Sequence, residues 1–357
     1  MVDSSKLSRE AGSGIGLTLV GSFPGMRVLA WDQDVLYASR GYSLLRCRSG
    51  SGSLVWEPVG RFSPAWWRKI TASGKLSSRL VRDGFHALVV LPTGELIVAV
   101  PGAIATLKSG QEEFQITHTM QRGTRPLNIV ATPHGHIFWG EYFDNPTREE
   151  VHVYGSADRG MSWQIAYSFP KNSIRHIHNI VYDRWENCLW VLTGDNGEEC
   201  RVLRASFDWQ HVETVLSGNQ QARAVAAVPT ADGLYFASDT PLEQNYVYKL
   251  DRQAKLTRLA EINASVLCGC AVGAAVFFTT MIEPSAVNLD CNVKLYGGGN
   301  GLSWTQLQSW EKDAWSMKFF QYGNAFLPTG NNTTNLLALT TIAVESHDQE
   351  ASLWRVR

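Results

Sequence analysis

The chain has 357 residues, 44% hydrophobic and 18% charged. Its 32 Lys and Arg against 33 Asp and Glu give a formal net charge of -1 with histidine neutral, without the basic excess that neutralises phosphates, so a nucleic-acid partner is not expected. No apolar run approaches the roughly 18 to 20 residues needed to cross a bilayer, and Met1 to Gly21 has neither the charged head nor the apolar centre of an export signal; the expectation is a soluble, cytoplasmic protein. Six cysteines are few for this length and match no zinc spacing. All are expected as free thiols, and the sequons at Asn263 and Asn331 as chance matches.

In chain order, short runs of β-branched and aromatic residues alternate with Gly, Pro, Asn and Asp, and no long stretch has helical periodicity. Leu17 to Phe23 is the first such run. A repeated phrase follows, in which an apolar strand, a short turn and a second apolar strand lead to a third and a fourth. It is clearest at Leu88 to Val100 around Pro92-Thr93-Gly94 and at Asn128 to Trp139 around Pro133-His134-Gly135. It returns at Ile177 to Leu192, Ala224 to Ala237 and Val266 to Thr280.

Seven units open near Arg27, His86, Arg125, Arg175, Arg223, Ser265 and Trp315, at spacings close to the roughly 40 to 50 residues of a four-stranded propeller blade. The last is short, with strands expected at about Met317 to Phe320, Leu336 to Thr341 and Leu353 to Val356. The prediction is one all-β domain over residues 1–357, a seven-bladed β-propeller of four-stranded antiparallel blades, with the N-terminal strand closing the last blade and removing an exposed edge.

Ser156-Ala157-Asp158-Arg159-Gly160-Met161-Ser162-Trp163 fits the Asp-box, S-x-D-x-G-x-x-W, and falls between a third and a fourth strand. Degenerate copies lie at Gly298 to Trp304 and at Ser49 to Trp56; WD-repeat and kelch signatures are absent. On these residues the chain resembles the sialidase-like, BNR-repeat β-propellers. The motif itself reads as turn chemistry: the carboxylate accepts backbone N–H groups, glycine supplies positive φ and tryptophan packs over the turn. The Arg-Ile-Pro opening of sialidases is missing. What the resemblance implies is carbohydrate-directed chemistry on a propeller.

Starts of inner strands and ends of second strands gather round one mouth of a propeller channel. That sorting brings Arg125, Arg175, His176, His178 and Arg223 together with Glu141, Tyr142, Asp195, Glu199, Asp239 and Glu283, and places Arg40 at the equivalent point of the first unit. His176 and His178 are two apart on a strand and share a face. With Asp195 or Glu141 they suit a divalent metal, an acid–base pair with Tyr142 nearby, or ordinary pairing of acids with arginines. His134 and His136 fall in a turn on the opposite side. The stretch Pro64 to Asp83 exceeds an ordinary connection and combines Arg68, Lys69, Lys75, Arg79 and Arg82 with Trp66 and Trp67, a pairing suited to an anionic sugar or, in plainer terms, to a solvated short helix around Leu76 to Arg82. The leading functional expectation is a glycoside hydrolase or lyase acting on an acidic saccharide, and the alternative is a noncatalytic glycan- or protein-binding propeller or assembly scaffold.

Overall fold

The computed structural model describes residues 14–49 and 54–357. These residues form six sheets. The first joins Arg27–Gln33, Val35–Arg40, Ser43–Arg48 and Trp56–Arg61, with Thr329–Asn332 added in parallel to the first of them. The second (Ala87–Val90, Leu96–Val100, Ala103–Leu107, Gln115–Thr119) and the third (Val130–Ala131, Ile137–Gly140, Val151–Ser156, Gln164–Phe169) are four-stranded meanders. So are the fourth (His176–Asp183, Cys188–Gly194, Arg201–Ala205, Val212–Ser217) and the fifth (Ala224–Thr230, Gly233–Ser238, Asn245–Asp251, Leu256–Ile262).

The sheets stand round a channel because each buries both faces against its neighbours. Leu29, Tyr37 and Leu44 of the first sheet pack on Leu88, Val98 and Ala105 of the second; Ile97 and Ala99 meet Ile137 and Trp139; Leu192 and Val202 meet Phe236 and Leu250. Met26, Val28 and Leu36 close the circle against Leu336 and Leu353. Second strands, sandwiched on both sides, are continuously apolar: every residue of Leu96–Val100 and of Cys188–Gly194 is buried. Each such Leu, Val or Phe contributes about 1.5–3 kcal/mol by leaving water, so these strands read as unbroken hydrophobic runs rather than as alternation. The result is an all-β propeller.

Seven separate four-stranded blades do not form. Five blades are separate, and the remainder is one eight-stranded sheet running Leu17–Pro24, Glu350–Val356, Leu336–Ile342, Asn324–Phe326, Ala275–Met281, Asn292–Gly299, Leu302–Glu311, with Ser265–Val272 also on Ala275–Met281. The reason is local. Met317–Phe320, expected as a strand, is a single helical turn. The strand after it is only three residues long, and Asn324 pairs with Met281 on one side and Ile342 on the other, which welds the two halves of that sheet. Leu17–Pro24 pairs antiparallel with Glu350–Val356 and joins the chain's first described strand to its last.

The Ser156–Trp163 turn is dense in hydrogen bonds. Asp158 Oδ1 accepts from Met161 N at 3.0 Å, Ser162 N at 2.9 Å and Ser156 Oγ at 2.8 Å, and Gly160 N donates to Ser156 Oγ. Gly160 has φ +78° and a Cβ there would meet Ile97 Cγ1 at 2.7 Å, so glycine is required on both counts. Trp163 Nε1 donates to Thr117 Oγ1 in the neighbouring blade. Half of the degenerate copy at 49–56, residues 50–53, lies outside the described residues. All six cysteines are free.

Candidate functional site

The fourth and fifth sheets place a close polar cluster round His176, His178 and Asp195. His176 is opposite Gly194 and Ala224 opposite Ser238 in the strand registers, so Asp195 and Asp239, each the next residue along, emerge beside the inner-strand starts. A register shift between Ile177 and Asn179 leaves His178 beyond the regular ladder, and both histidines are buried. Their Nε2 atoms are 3.0 Å apart, with Asp195 Oδ1 at 3.5 Å from His176 Nε2 and 3.3 Å from His178 Nε2. The opposite ring nitrogens face backbone carbonyls: His176 Nδ1 lies 3.2 Å from Phe143 O and His178 Nδ1 lies 2.9 Å from Ala224 O. Tyr142 tilts over His176 with ring centroids 4.4 Å apart.

Two guanidiniums hold the carboxylate from outside. Arg175 reaches Asp195 Oδ2 at 3.1 Å and Asp144 at 2.5 Å; Arg223 lies 3.5 Å from both Asp195 and Asp239. Burial pushes the Asp195 carboxyl up, but the histidine hydrogen bonds outweigh it and hold the group well below the usual carboxylate range. Burial pulls His178 below its ordinary value, against the opposing hydrogen bond of Asp195. Asp239 goes the other way, pushed up to about 7 by burial, with Glu283 and Asp195 adding to it and Arg223 opposing.

Other residues expected at this mouth have partners of their own. Glu141 is buried but turned to Arg122, which grips both its oxygens, and accepts from His152 N, so it does not meet the histidines. Glu199 pairs with Arg148 at 2.6 Å, and Glu283 accepts from Ser265 Oγ at 3.4 Å. Arg125 belongs to a cationic part of the channel with Arg27, Arg82 and His86: burial lowers Arg125 to about 9, helped by Arg27 and Arg82, and Arg27 to about 10. Burial and the neighbouring Arg125 and Arg27 hold His86 far below its usual value. Sequence reasoning passed over Asp144 and Arg122; their signal was only position, one three residues after Glu141 and one just upstream of Arg125.

The 62–85 insertion carries helices Trp66–Thr71 and Lys75–Val81. Trp66 is 75% exposed and Trp67 is covered in part by the Arg68 guanidinium. Between the insertion and the first sheet lies a cleft of about 940 Å³, lined among others by Arg27, Arg40, Arg61, Lys69, Lys75 and His86. Asp83 is the one acidic residue of that lining, and it is consumed by Arg68 at 2.8 Å, Tyr42 at 2.8 Å and Thr71. Arg79 is buried rather than presented to solvent, held by Asp313 at 2.5 Å, Asp348 at 3.5 Å and Phe320 O. No helix among the described residues is long and apolar enough to cross a membrane.

No family model matches the chain, and no curated protein matches it by sequence. Solved structures do match. A chain of a mitotic checkpoint complex aligns over 100% of this chain and 98% of its own length with a TM-score of 0.56 and 12% identity. The WD40 β-propeller domain of Doa1 aligns over 95% and 96% with a TM-score of 0.57 and 11% identity. These likenesses, to propellers of the WD40 shape, overturn the sialidase-like resemblance and the glycoside hydrolase or lyase reading built on it, and leave the saccharide ligand without support. The misleading signal was the Ser156–Trp163 turn, whose bonds are entirely local to one strand connection and one neighbouring blade and therefore say little about the rest of the ring.

Proposed function

We propose that this chain is a noncatalytic protein-binding propeller, an assembly scaffold, and that the cleft between its first sheet and the 62–85 insertion receives an acidic segment of a partner protein. The carrying observation is the charge of that cleft. Arg40, Arg61, Lys69 and Lys75 line it with no ion pair among the described residues, while its single carboxylate is already held by Arg68. Cations left unpaired in a concave wall raise the local potential and attract an anionic partner. The WD40-type neighbours, one of them from a complex, support the same reading at the level of fold. Glu141, the second carboxyl that sugar hydrolysis would need near Asp195, is instead locked to Arg122.

The experiment is a hydrogen-exchange footprint with a flexible, unstructured peptide rich in Asp and Glu and its Asn/Gln counterpart. Protection is expected in 62–85 and 39–43 with the acidic peptide only. Equal protection by both peptides, or protection confined to the Asp195 region, contradicts the assignment.

A further inference from the structure

We propose that His176, His178 and Asp195 form a preorganised site for one late first-row divalent metal ion, with zinc the best fit. The site is separate from the partner cleft and stands whether or not that cleft binds an acidic segment.

The hydrogen bonds of the two rings fix their tautomers. Phe143 O and Ala224 O are carbonyl oxygens, which only accept, so His176 Nδ1 and His178 Nδ1 both donate. In a neutral ring that leaves Nε2 bare. The two bare Nε2 atoms nevertheless face each other at 3.0 Å, and a carboxylate oxygen faces them at 3.3 and 3.5 Å. Three acceptors converge on one buried point; Arg223 Nη2 lies 3.5 Å from the carboxylate oxygen, but no protein donor stands between the two Nε2 atoms, an arrangement that a buried interior rarely leaves uncompensated. A cation at their centre resolves it.

The dimensions suit that cation. Tetrahedral zinc with ligands at about 2.0–2.1 Å has ligand-to-ligand edges of about 3.3–3.4 Å, and the three edges here are 3.0, 3.3 and 3.5 Å. Two imidazoles and one carboxylate favour zinc and its late first-row neighbours over magnesium or calcium, which prefer oxygen. The outer contacts are those of a built site: each ring is oriented by a backbone carbonyl, and Asp195 Oδ2 is fixed by Arg175 at 3.1 Å while Oδ1 faces the histidines. Three protein ligands leave a fourth position for water.

The rival is a single proton shared between the two Nε2 atoms. To decide, the full chain is stripped with a chelator, incubated with zinc, dialysed and assayed for metal, with magnesium in parallel. One equivalent of zinc and no magnesium is expected. Cobalt should give the intense visible bands of a tetrahedral ion, and X-ray absorption of the zinc form should show two imidazoles in the first coordination sphere. His178→Asn, whose amide can still donate to Ala224 O, and Asp195→Asn should each weaken zinc binding more than tenfold. Should either variant fail to fold, the cobalt and absorption spectra of the unaltered protein decide alone. Retention of no stoichiometric zinc, zinc held equally well by both folded variants, or a coordination sphere without imidazole overturns the proposal.

Discussion

Asp239 shows at the scale of one residue how burial and charge compete at the channel mouth. Its ordinary value is 3.8 and the folded protein pushes it up to about 7, by burial first and by Glu283 and Asp195 after it. The folded state therefore keeps a proton that the unfolded chain releases, and stability falls as pH rises from about 4 to about 7, by a few kcal/mol in all. Asp239→Asn should flatten that slope in urea titrations at pH 5 and pH 8, its gain appearing at the higher pH. Asp158 has the opposite sign. Burial is the largest single influence and raises it, but the hydroxyls of Ser162 and Ser156 and the backbone N–H groups together outweigh burial and lower it to about 2. The stability it supplies is present above about pH 4 and is lost as pH falls through about 2. Because the carboxylate is exposed, solvent screening limits the effect, and Asp158→Ala should cost about 1 kcal/mol at pH 7, measured by chemical denaturation; an unchanged midpoint would remove the structural role of this turn.

At the scale of elements, what the sequence made legible was the meander. Val-, Leu- and Ile-rich second strands stand out because they are buried on both faces, and turns such as 92–94 and 133–135 carry the glycine their positive φ needs. Register was legible enough to put Asp195 beside His176 and Asp239 beside Arg223, since both acids follow directly on a second strand. Glu141 was misplaced for a reason the alternation could not reveal: Arg122, in the connection before the third sheet, holds its buried side chain away from the histidines. Met317–Phe320 was misread because a tetrapeptide with three apolar residues does not distinguish a strand from one helical turn, and the tertiary link that fastens it, Arg79 to Phe320 O, spans 241 residues of sequence. That arginine fastens the insertion to the C-terminal segment. Replacing it takes the guanidinium from Asp313, which keeps Lys312, from Asp348 and from Phe320 O, so Arg79→Met should cost about 2–3 kcal/mol and open the 62–85 helices to limited proteolysis. Wild-type resistance in the variant would show that the insertion is held by other contacts.

On the scale of the whole molecule, the ring is a rigid frame on which charge is unevenly distributed although the net charge is only -1. Arg27 and Arg82 add to burial in lowering the proton affinity of Arg125 and of His86 on one part of the channel, while Asp195, Asp239 and Glu283 collect on another. The partner cleft opens on the cationic part, sharing Arg27 and His86 with it. Composition hides this division because opposite charges cancel in the sum, and only the folded ring separates them. Electrostatic binding of the kind proposed is steered by charge and screened by salt. The decisive measurement is the affinity of a labelled Asp- and Glu-rich peptide for the unaltered protein and for Lys69→Glu/Lys75→Glu, at low and at physiological salt. Binding that weakens with salt and falls at least about tenfold, a loss of about 1.4 kcal/mol, in the charge-reversed protein is the predicted result. Binding indifferent to both the salt and the reversal, or no binding by the unaltered protein, would contradict the account.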